Sequence, residues 1–303
     1  MQPKEDAMSL FERILVPLDG SPLAEKALGQ VRRILRRADA EAVLIRAVEP
    51  PPVAGDFYTL AESLEKEADR YLAGVERSLS DEGARVRRVV RRGPAAETLL
   101  SAADDERASL IVMTTHGRSG IARWILGSVT EKVLRASPVP VWVTRSFDSQ
   151  GAPAEDSGSV RRILVPIHEE ASLGILPAIV DVARLHEGLE VRLVHVLPEG
   201  GSYSVPVPSL ARAYHELRGR GIAVEPLLRK GDAASEILET AHSERADLIA
   251  MTTHGRSGPS RWALGSVTEK VLRGASIPLL VGNARCAWIG SARPAGAVGT
   301  RKG

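Results

Sequence analysis

The residues best placed to do chemistry are an aspartate and a set of glycines and hydroxyls. Asp19 ends the apolar run ILVPL and is followed by Gly20 and Ser21. Far downstream lies THGRSG, residues 115–120, and then LGS, residues 126–128, where a helical pattern begins. Glycines in a strand-to-helix turn let backbone approach phosphate oxygens, and the amides that open a helix form an anion site. An acidic side chain in the same crevice suits ribose hydroxyls. Each feature also has a plainer reading. Gly117 and Gly120 serve as ordinary turn glycines, and Asp19-Gly20 as a simple turn. Ser128 with Glu131, and Ser266 with Glu269, spell the S-x-x-E capping box that starts a helix. His116 and His254 lack companion metal ligands. Arg118 and Arg123 fit either a phosphate contact or a solvated loop.

The same constellation occurs twice. Residues 113–135 and 251–273 differ at three of 23 positions, at an offset of 138 residues. That period is a whole domain, since solenoid repeats run at roughly 20–50 residues. The reading is one domain at residues 8–146, a Gly/Ser/Pro-bearing linker at 147–160, a second domain at 161–285, and a disordered Gly/Ala/Arg-rich tail at 286–303.

Elements that would position these residues follow from periodicity. Residues 13–18 are a short apolar strand, and Ser21-Pro22 opens a helix through residue 35. Strand 42–48, a long amphipathic helix from about residue 60 to 79, strand 86–90, a helix from Pro94, strand 110–114, helix 128–136 and strand 139–144 come next. The second half repeats this order. Strict alternation of strand and helix implies parallel strands with right-handed crossovers and helices on both faces. Pro17, repeated as Pro166, cannot donate to a ladder, so it must stand where pairing has ended. Asp19 then sits on the rim at the carboxyl end of the sheet. If the first and fourth strands are neighbours, the gap between them is the topological switch point, where α/β sheets bind ligands.

Composition narrows the function. Lys plus Arg is 40 against 38 for Asp plus Glu, which gives no nucleic-acid or membrane signature. Aromatic residues are 4%, too few for base-stacking platforms. Cys286 is the one cysteine, so a disulfide framework or cysteine metal cage within the chain is excluded. No apolar signal core opens the sequence and no long apolar run occurs, so the expected compartment is the cytoplasm. The basic runs at 32–37 and 85–92 read as a solvated helix face and a charged edge strand.

In combination, ILVPLDGS, THGRSG-x5-LGSVTEKVLR and the closing PVPVWV resemble the universal stress protein family, over almost the whole chain and in two copies. The resemblance implies two tandem Rossmann-like domains of the adenine nucleotide α-hydrolase-like type. Each would be a five-stranded parallel sheet of order 3-2-1-4-5 with helices on both faces. The nucleotide-binding branch carries G-x2-G-x9-G-[ST]. Here Thr114 takes the first position, followed by Gly117, Gly127 and Ser128; Thr252, Gly255, Gly265 and Ser266 repeat the pattern. The implied ligand is ATP, or AMP or ADP, with magnesium accompanying the nucleotide. Pro17 and Asp19 would line the ribose side, Val48 would offer backbone to adenine, and Gly117, Arg118, Gly127, Ser128 and Val129 would meet phosphates. Gly255, Gly265, Ser266 and Val267 would do so in the second copy. The family also pairs through its last strands, which implies a homodimer or pairing of the two domains within the chain.

The copies part at the end of the first strand. Asp19, Gly20 and Ser21 become His168, Glu169 and Glu170. The acidic ribose partner is lost there, and two glutamates facing the crevice would repel a triphosphate. The expectation is a nucleotide held chiefly by the first copy. Against an ATP-using enzyme, G-x4-GK-[ST], paired carboxylates for magnesium and a positioned nucleophile are all missing. At most slow hydrolysis is expected, and a ligand-free interaction scaffold of the same fold is the alternative.

Overall fold

The computed structural model describes residues 9–49, 57–115, 126–144, 159–201, 207–253, 264–283 and 286. The first copy runs β1 (Arg13–Pro17), α1 (Pro22–Glu25), α2 (Ala27–Leu35), β2 (Glu41–Val48), α3 (Phe57–Ser80) and β3 (Arg85–Arg92). It continues through α4 (Ala95–Asp105), β4 (Leu110–Thr114), α5 (Ser128–Ala136) and β5 (Val141–Thr144). The second copy has β6 (Arg162–Pro166), a 3-10 turn (Glu170–Ile175), α6 (Leu176–Leu185), β7 (Glu190–Leu197) and α7 (Pro208–Arg218). It ends with β8 (Ala223–Lys230), α8 (Ala233–Ser243), β9 (Leu248–Thr252), α9 (Ser266–Gly274) and β10 (Leu279–Gly282). The linker 147–158 and the tail beyond 286 lie outside the described residues.

Local chemistry sets these boundaries. Ser21 caps α1 by accepting the Ala24 amide at 3.1 Å, with Pro22 at the first helical position. Periodicity predicts one helix from there to residue 35. The structure breaks it at Lys26, whose amide reaches back three residues to Leu23, the tighter 3-10 pattern. Asp232 caps α8 in the same way as Ser21.

All ten strands form one sheet in the order β3-β2-β1-β4-β5-β10-β9-β6-β7-β8. Within each copy every neighbour is parallel. The copies meet at an antiparallel seam, where Val141 faces Val281, Trp142 faces Leu280 and Val143 faces Leu279. Pairing through the last strands is therefore internal to the chain. It leaves neither β5 nor β10 an open edge, and the halves are more than two beads on a linker.

Alternation along the strands divides the core. One apolar cluster carries Ile14, Leu44, Trp142, Ile163 and Leu280 with α2, α3, α6 and α7. The other carries Leu15, Ile45, Val143, Leu164 and Leu279 with α4, α5, α8 and α9. Each cluster spans both copies, and each such fully buried side chain contributes about 1.5–3 kcal/mol. Polar ties cross the seam as well. The Leu10 amide donates to Asp181 at 2.8 Å, and Arg37 donates to His186 Nδ1 at 2.7 Å. Asn283, which follows β10, donates from Nδ2 to the carbonyls of Leu134 and Ser137 at the end of α5, at 3.1 and 3.0 Å.

The arginine-rich strand β3 is neutralised by its neighbours. Arg87 pairs with Glu41 and Glu106, Arg88 with Asp69 and Glu76, and Arg92 with Glu65. Alternate arginines reach opposite faces of the strand, where acids of α3 and of the α4 end wait. Among the described residues, no helix is long and apolar enough to cross a membrane.

Candidate functional site

The site begins where β1 and β4 stop pairing. They share only two registered positions, Ile14 with Leu110 and Leu15 with Ile111. On its other side β1 stays paired with β2 as far as Pro17 and Ile45. In a parallel ladder, alternate residues turn their backbone groups to opposite neighbours. Ser109 donates to the Arg13 carbonyl and Leu18 to the Ile45 carbonyl, so odd positions of β1 face β4. Pro17 thus turns its donorless nitrogen toward a strand that has already left, and no hydrogen bond is lost. β6 and β9 part in the same way after Leu164 and Ile249.

Into that gap opens a cavity of about 320 Å³ lined by Pro17, Asp19, Thr114, Gly127, Ser128 and Val129. Six sequence-predicted residues, from three distant stretches, share this one crevice. Asp19 Oδ1 accepts the Ser21 amide at 2.9 Å, which fixes the carboxylate on the rim. Thr130 Oγ1 donates to the Thr114 carbonyl at 3.1 Å and ties the start of α5 to the end of β4. Gly117 and Arg118, and the alternatives His116, Gly120 and Arg123, lie outside the described residues, as do His254 and Gly255.

The start of α5 differs from the capping-box pattern. Gly127 is the N-cap, at φ −61° and ψ 142°, and Ser128 is already the first helical residue with no side-chain cap bond. Gly265 and Ser266 repeat this at α9. The serine hydroxyl is thereby not committed to starting its own helix. The Gly127 amide is committed, because it donates to the Thr115 carbonyl at 3.0 Å. The first intrahelical bond runs from Glu131 to Gly127, so the amides of Ser128, Val129 and Thr130 have no partner within the helix. The amides that the helix itself does not use therefore begin one residue along from Gly127.

Val48 turns its backbone to β3. Its carbonyl accepts the Gly93 amide at 3.0 Å, on the β3 side. Ile45 faces β1, so Ala47, two residues on, turns its backbone toward the place where β1 has ended. Ile45 and Ala47 line the crevice, whereas Val48 lines a smaller side pocket of about 170 Å³ with Asp19, Arg46 and Leu64. Of the two, Ala47 is the residue whose backbone faces the crevice. Arg46, on the opposite face of β2, lies over the Tyr71 ring at 5.4 Å and reaches Glu67 at 3.6 Å. Burial, and then the hydrogen bond that Tyr71 donates to Glu25, push the Tyr71 phenol well above its ordinary range. It stays a neutral donor beside the rim.

The second copy has a larger crevice, about 570 Å³, lined by Pro166, Glu169, Val196, Gly265, Ser266 and Val267 among others. Of its two glutamates only Glu169 lines it. Glu170 is 62% exposed and pairs with Arg212 at 2.8 Å on the surface. The expected pair of repelling charges is thus a single carboxylate. Glu169 is also bound in a capping box with Ser172, whose amide donates to the glutamate side chain.

Comparison with known proteins agrees across both halves. Residues 10–145 and 159–282 each match the model of the universal stress protein family. A universal stress protein of Methanocaldococcus jannaschii is 30% identical over 142 residues, which covers 45% of this chain and 84% of the relative. One from Mycolicibacterium smegmatis is 24% identical over 294 residues, 88% of this chain and 96% of its own length. Among solved structures, a universal stress protein from Archaeoglobus fulgidus superposes with a TM-score of 0.73 at 22% identity, covering 89% of this chain and 98% of its own. That likeness shows the fold in its tandem form.

Proposed function

The chain belongs to the universal stress protein family, and from that premise we propose that its first copy binds ATP or a related adenine nucleotide. Occupancy, rather than turnover, would be its output as a stress-response or regulatory protein of the cytoplasm. One observation carries the reading: β1 and β4 separate after Leu15, and that separation gathers Asp19, the Ala47 backbone and the start of α5 around one cavity. In this reading adenine lies against Ala47 and Asp19 holds the ribose. The Ser128, Val129 and Thr130 amides and the Ser128 hydroxyl meet the phosphates. Charge complementarity is local, with the helix dipole and its unpaired amides facing the anion.

Rapid hydrolysis is not part of the proposal. Asp19 is the one ionisable side chain lining the crevice among the described residues, and this reading assigns it to the sugar. Magnesium would arrive with the phosphates, since no three His, Cys, Asp or Glu side chains converge among the described residues. The test is direct. The purified chain is denatured, the released small molecules are identified by mass spectrometry, and ATP, ADP and AMP are titrated calorimetrically into the emptied protein. Adenine nucleotide in the supernatant and micromolar or tighter binding support the proposal. No retained ligand and no measurable affinity for any of the three would leave the ligand-free scaffold as the better reading.

A further inference from the structure

We propose that Arg46 is a positioning residue of the first crevice: its guanidinium props the Asp19–Gly20 turn and so sets how sharply the site reads a ribose hydroxyl. This rests on the nucleotide reading of the first copy and assigns no contact between Arg46 and the ligand. β1 stays paired with β2 only as far as Pro17 and Ile45. Arg46 is therefore the first residue of β2 beyond the end of that ladder. It is 9% exposed, and a charge so buried needs close partners. Its ion pair among the described residues is with Glu67, at 3.6 Å. That is long against the roughly 2.7–2.9 Å of a charge-assisted hydrogen bond, and the Glu67 side chain is 63% exposed. A surface acid at that range offsets little of the cost of burying a guanidinium.

What the guanidinium packs against is the turn. A β-carbon added to Gly20 would stand 3.3 Å from Arg46 Nη1, 3.5 Å from Cζ and 3.7 Å from Nη2. With Cζ as near as the two nitrogens, the plane presents its face to Gly20 and not its edge. Gly20 is at φ +85°, where a side chain is strained, so the turn needs glycine for its own path and for this close approach. Arg46 also lies over the Tyr71 ring, and Tyr71 donates to Glu25 of α1 at 2.9 Å. Burial and Glu25 raise the Tyr71 phenol first; Asp19 raises it further and Arg46 lowers it, so both charges act about the same ring. Among the described residues that line the side pocket, Arg46 is the one cation, against Asp19 and Glu49. A cation fixed beneath the turn sets the field in which the Asp19 carboxylate settles.

The second copy supports its turn from the same place by other means. β6 keeps its partner as far as Pro166 and Val194, so His195 holds the position of Arg46. His195 is 8% exposed, and its Nδ1 lies 2.7 Å from the carbonyl of Ile167, the residue after the proline. A carbonyl only accepts, so Nδ1 carries the proton. In both copies, the side chain one step past the last registered pair holds the chain that leaves the first strand. A packed plane does this in one copy and a hydrogen bond in the other.

The experiment is calorimetric titration of the intact, nucleotide-free chain with ATP, 2′-deoxy-ATP and AMP. It compares wild type, Asp19→Asn, Arg46→Met, Arg46→Lys and the double variant Asp19→Asn/Arg46→Met, with a thermal melt of each. Asp19→Asn marks which site is being read. Wild type should prefer ATP to 2′-deoxy-ATP by about tenfold or more at that site, since a site built around a hydroxyl rejects an analogue lacking it. Arg46→Met, which fills the same space without charge, should cut that preference to under about threefold. Its preference for ATP over AMP should stay as in wild type, because the start of α5 is untouched. The double variant should lose no more than Asp19→Asn alone, as expected of a residue that acts through Asp19. Arg46→Lys keeps the charge without the plane and should fall between, and it carries the same comparison if Arg46→Met melts without a cooperative transition. A hydroxyl preference unmoved in the folded variant overturns the inference and leaves the first-copy reading intact. So does an equal fall in the preference for ATP over AMP, or a further loss in the double variant. A wild type that binds ATP with no hydroxyl preference overturns it together with the place of Asp19 on the sugar. No binding of any nucleotide overturns the first-copy reading as well.

Discussion

Gly127→Ala is the substitution that separates a phosphate-binding turn from an ordinary one. At φ −61° and ψ 142° the backbone of Gly127 is in a region that any residue adopts, so alanine brings no conformational strain. Lower freedom in the unfolded chain would even stabilise the variant, by about 0.4–1 kcal/mol. Gly127 lines the crevice next to Ser128 and Val129, so the added methyl is expected to crowd that wall. A phosphate oxygen must come within about 2.9 Å of those nitrogens. Displacing it from a single charge-assisted bond forfeits roughly 1.5–3 kcal/mol. We expect at least a tenfold loss of ATP affinity, which is about 1.4 kcal/mol. The loss should shrink from ATP to AMP and vanish for adenosine, since the methyl obstructs phosphate and not base. Calorimetry with these three ligands, beside a thermal melt of the free protein, reads both effects. An unchanged ATP affinity in a variant that melts at or above the wild-type temperature would refute the placement of phosphates at α5.

Three further outcomes follow from the seam and the buried groups. Asn283→Ala leaves the Leu134 and Ser137 carbonyls without their donor, so stability should fall by about 2 kcal/mol, seen as a lower urea midpoint at unchanged slope. A loss under roughly 0.5 kcal/mol would show that the side chain does not hold the seam. His186 is pushed down to about 4 by burial and then by the charges of Arg37 and Arg33. The unfolded ring takes its proton first, near its ordinary 6.5. Stability from this group is therefore full above that pH and lost as pH falls toward 4, and a ring titrating above 6 by NMR would contradict the packing. Cys286 is 6% exposed and burial pushes its thiol up to about 12, so a thiol reagent at pH 8 should leave the native chain unlabelled and label it fully in urea.

Much of this architecture is legible in the residues, because most strands are short apolar runs and most helices carry an apolar stripe. Pro17 even marks the point where β1 must lose its neighbour, since a residue without an amide proton fits only there. The details that escape a linear reading depend on parity and on backbone path. Val48 and Ala47 are adjacent in sequence, yet they turn their peptide groups to opposite neighbours, a parity fixed by the bonds from Leu18 to the Ile45 carbonyl and from Gly93 to the Val48 carbonyl. The serine and glutamate at 128 and 131 spell a capping box, but Gly127 takes the N-cap because its own amide is drawn to the Thr115 carbonyl. Aligning the copies by letters also sets Glu169 against Gly20, whose left-handed turn it does not share. Arg46 and Tyr71 carry no motif at all, and only the packing of α3 on β2 brings them beside the rim.

The antiparallel seam between β5 and β10 decides the directions in which the molecule can be read. Within each copy all strands run the same way, and across the seam that sense reverses. The carboxyl ends of the first five strands therefore lie along one margin of the sheet, and those of the last five along the opposite margin. The two crevices open back to back, not side by side. No single flat surface can touch both mouths at once. Whatever touches one mouth leaves the opposite margin of the sheet clear, so the two mouths are reached independently.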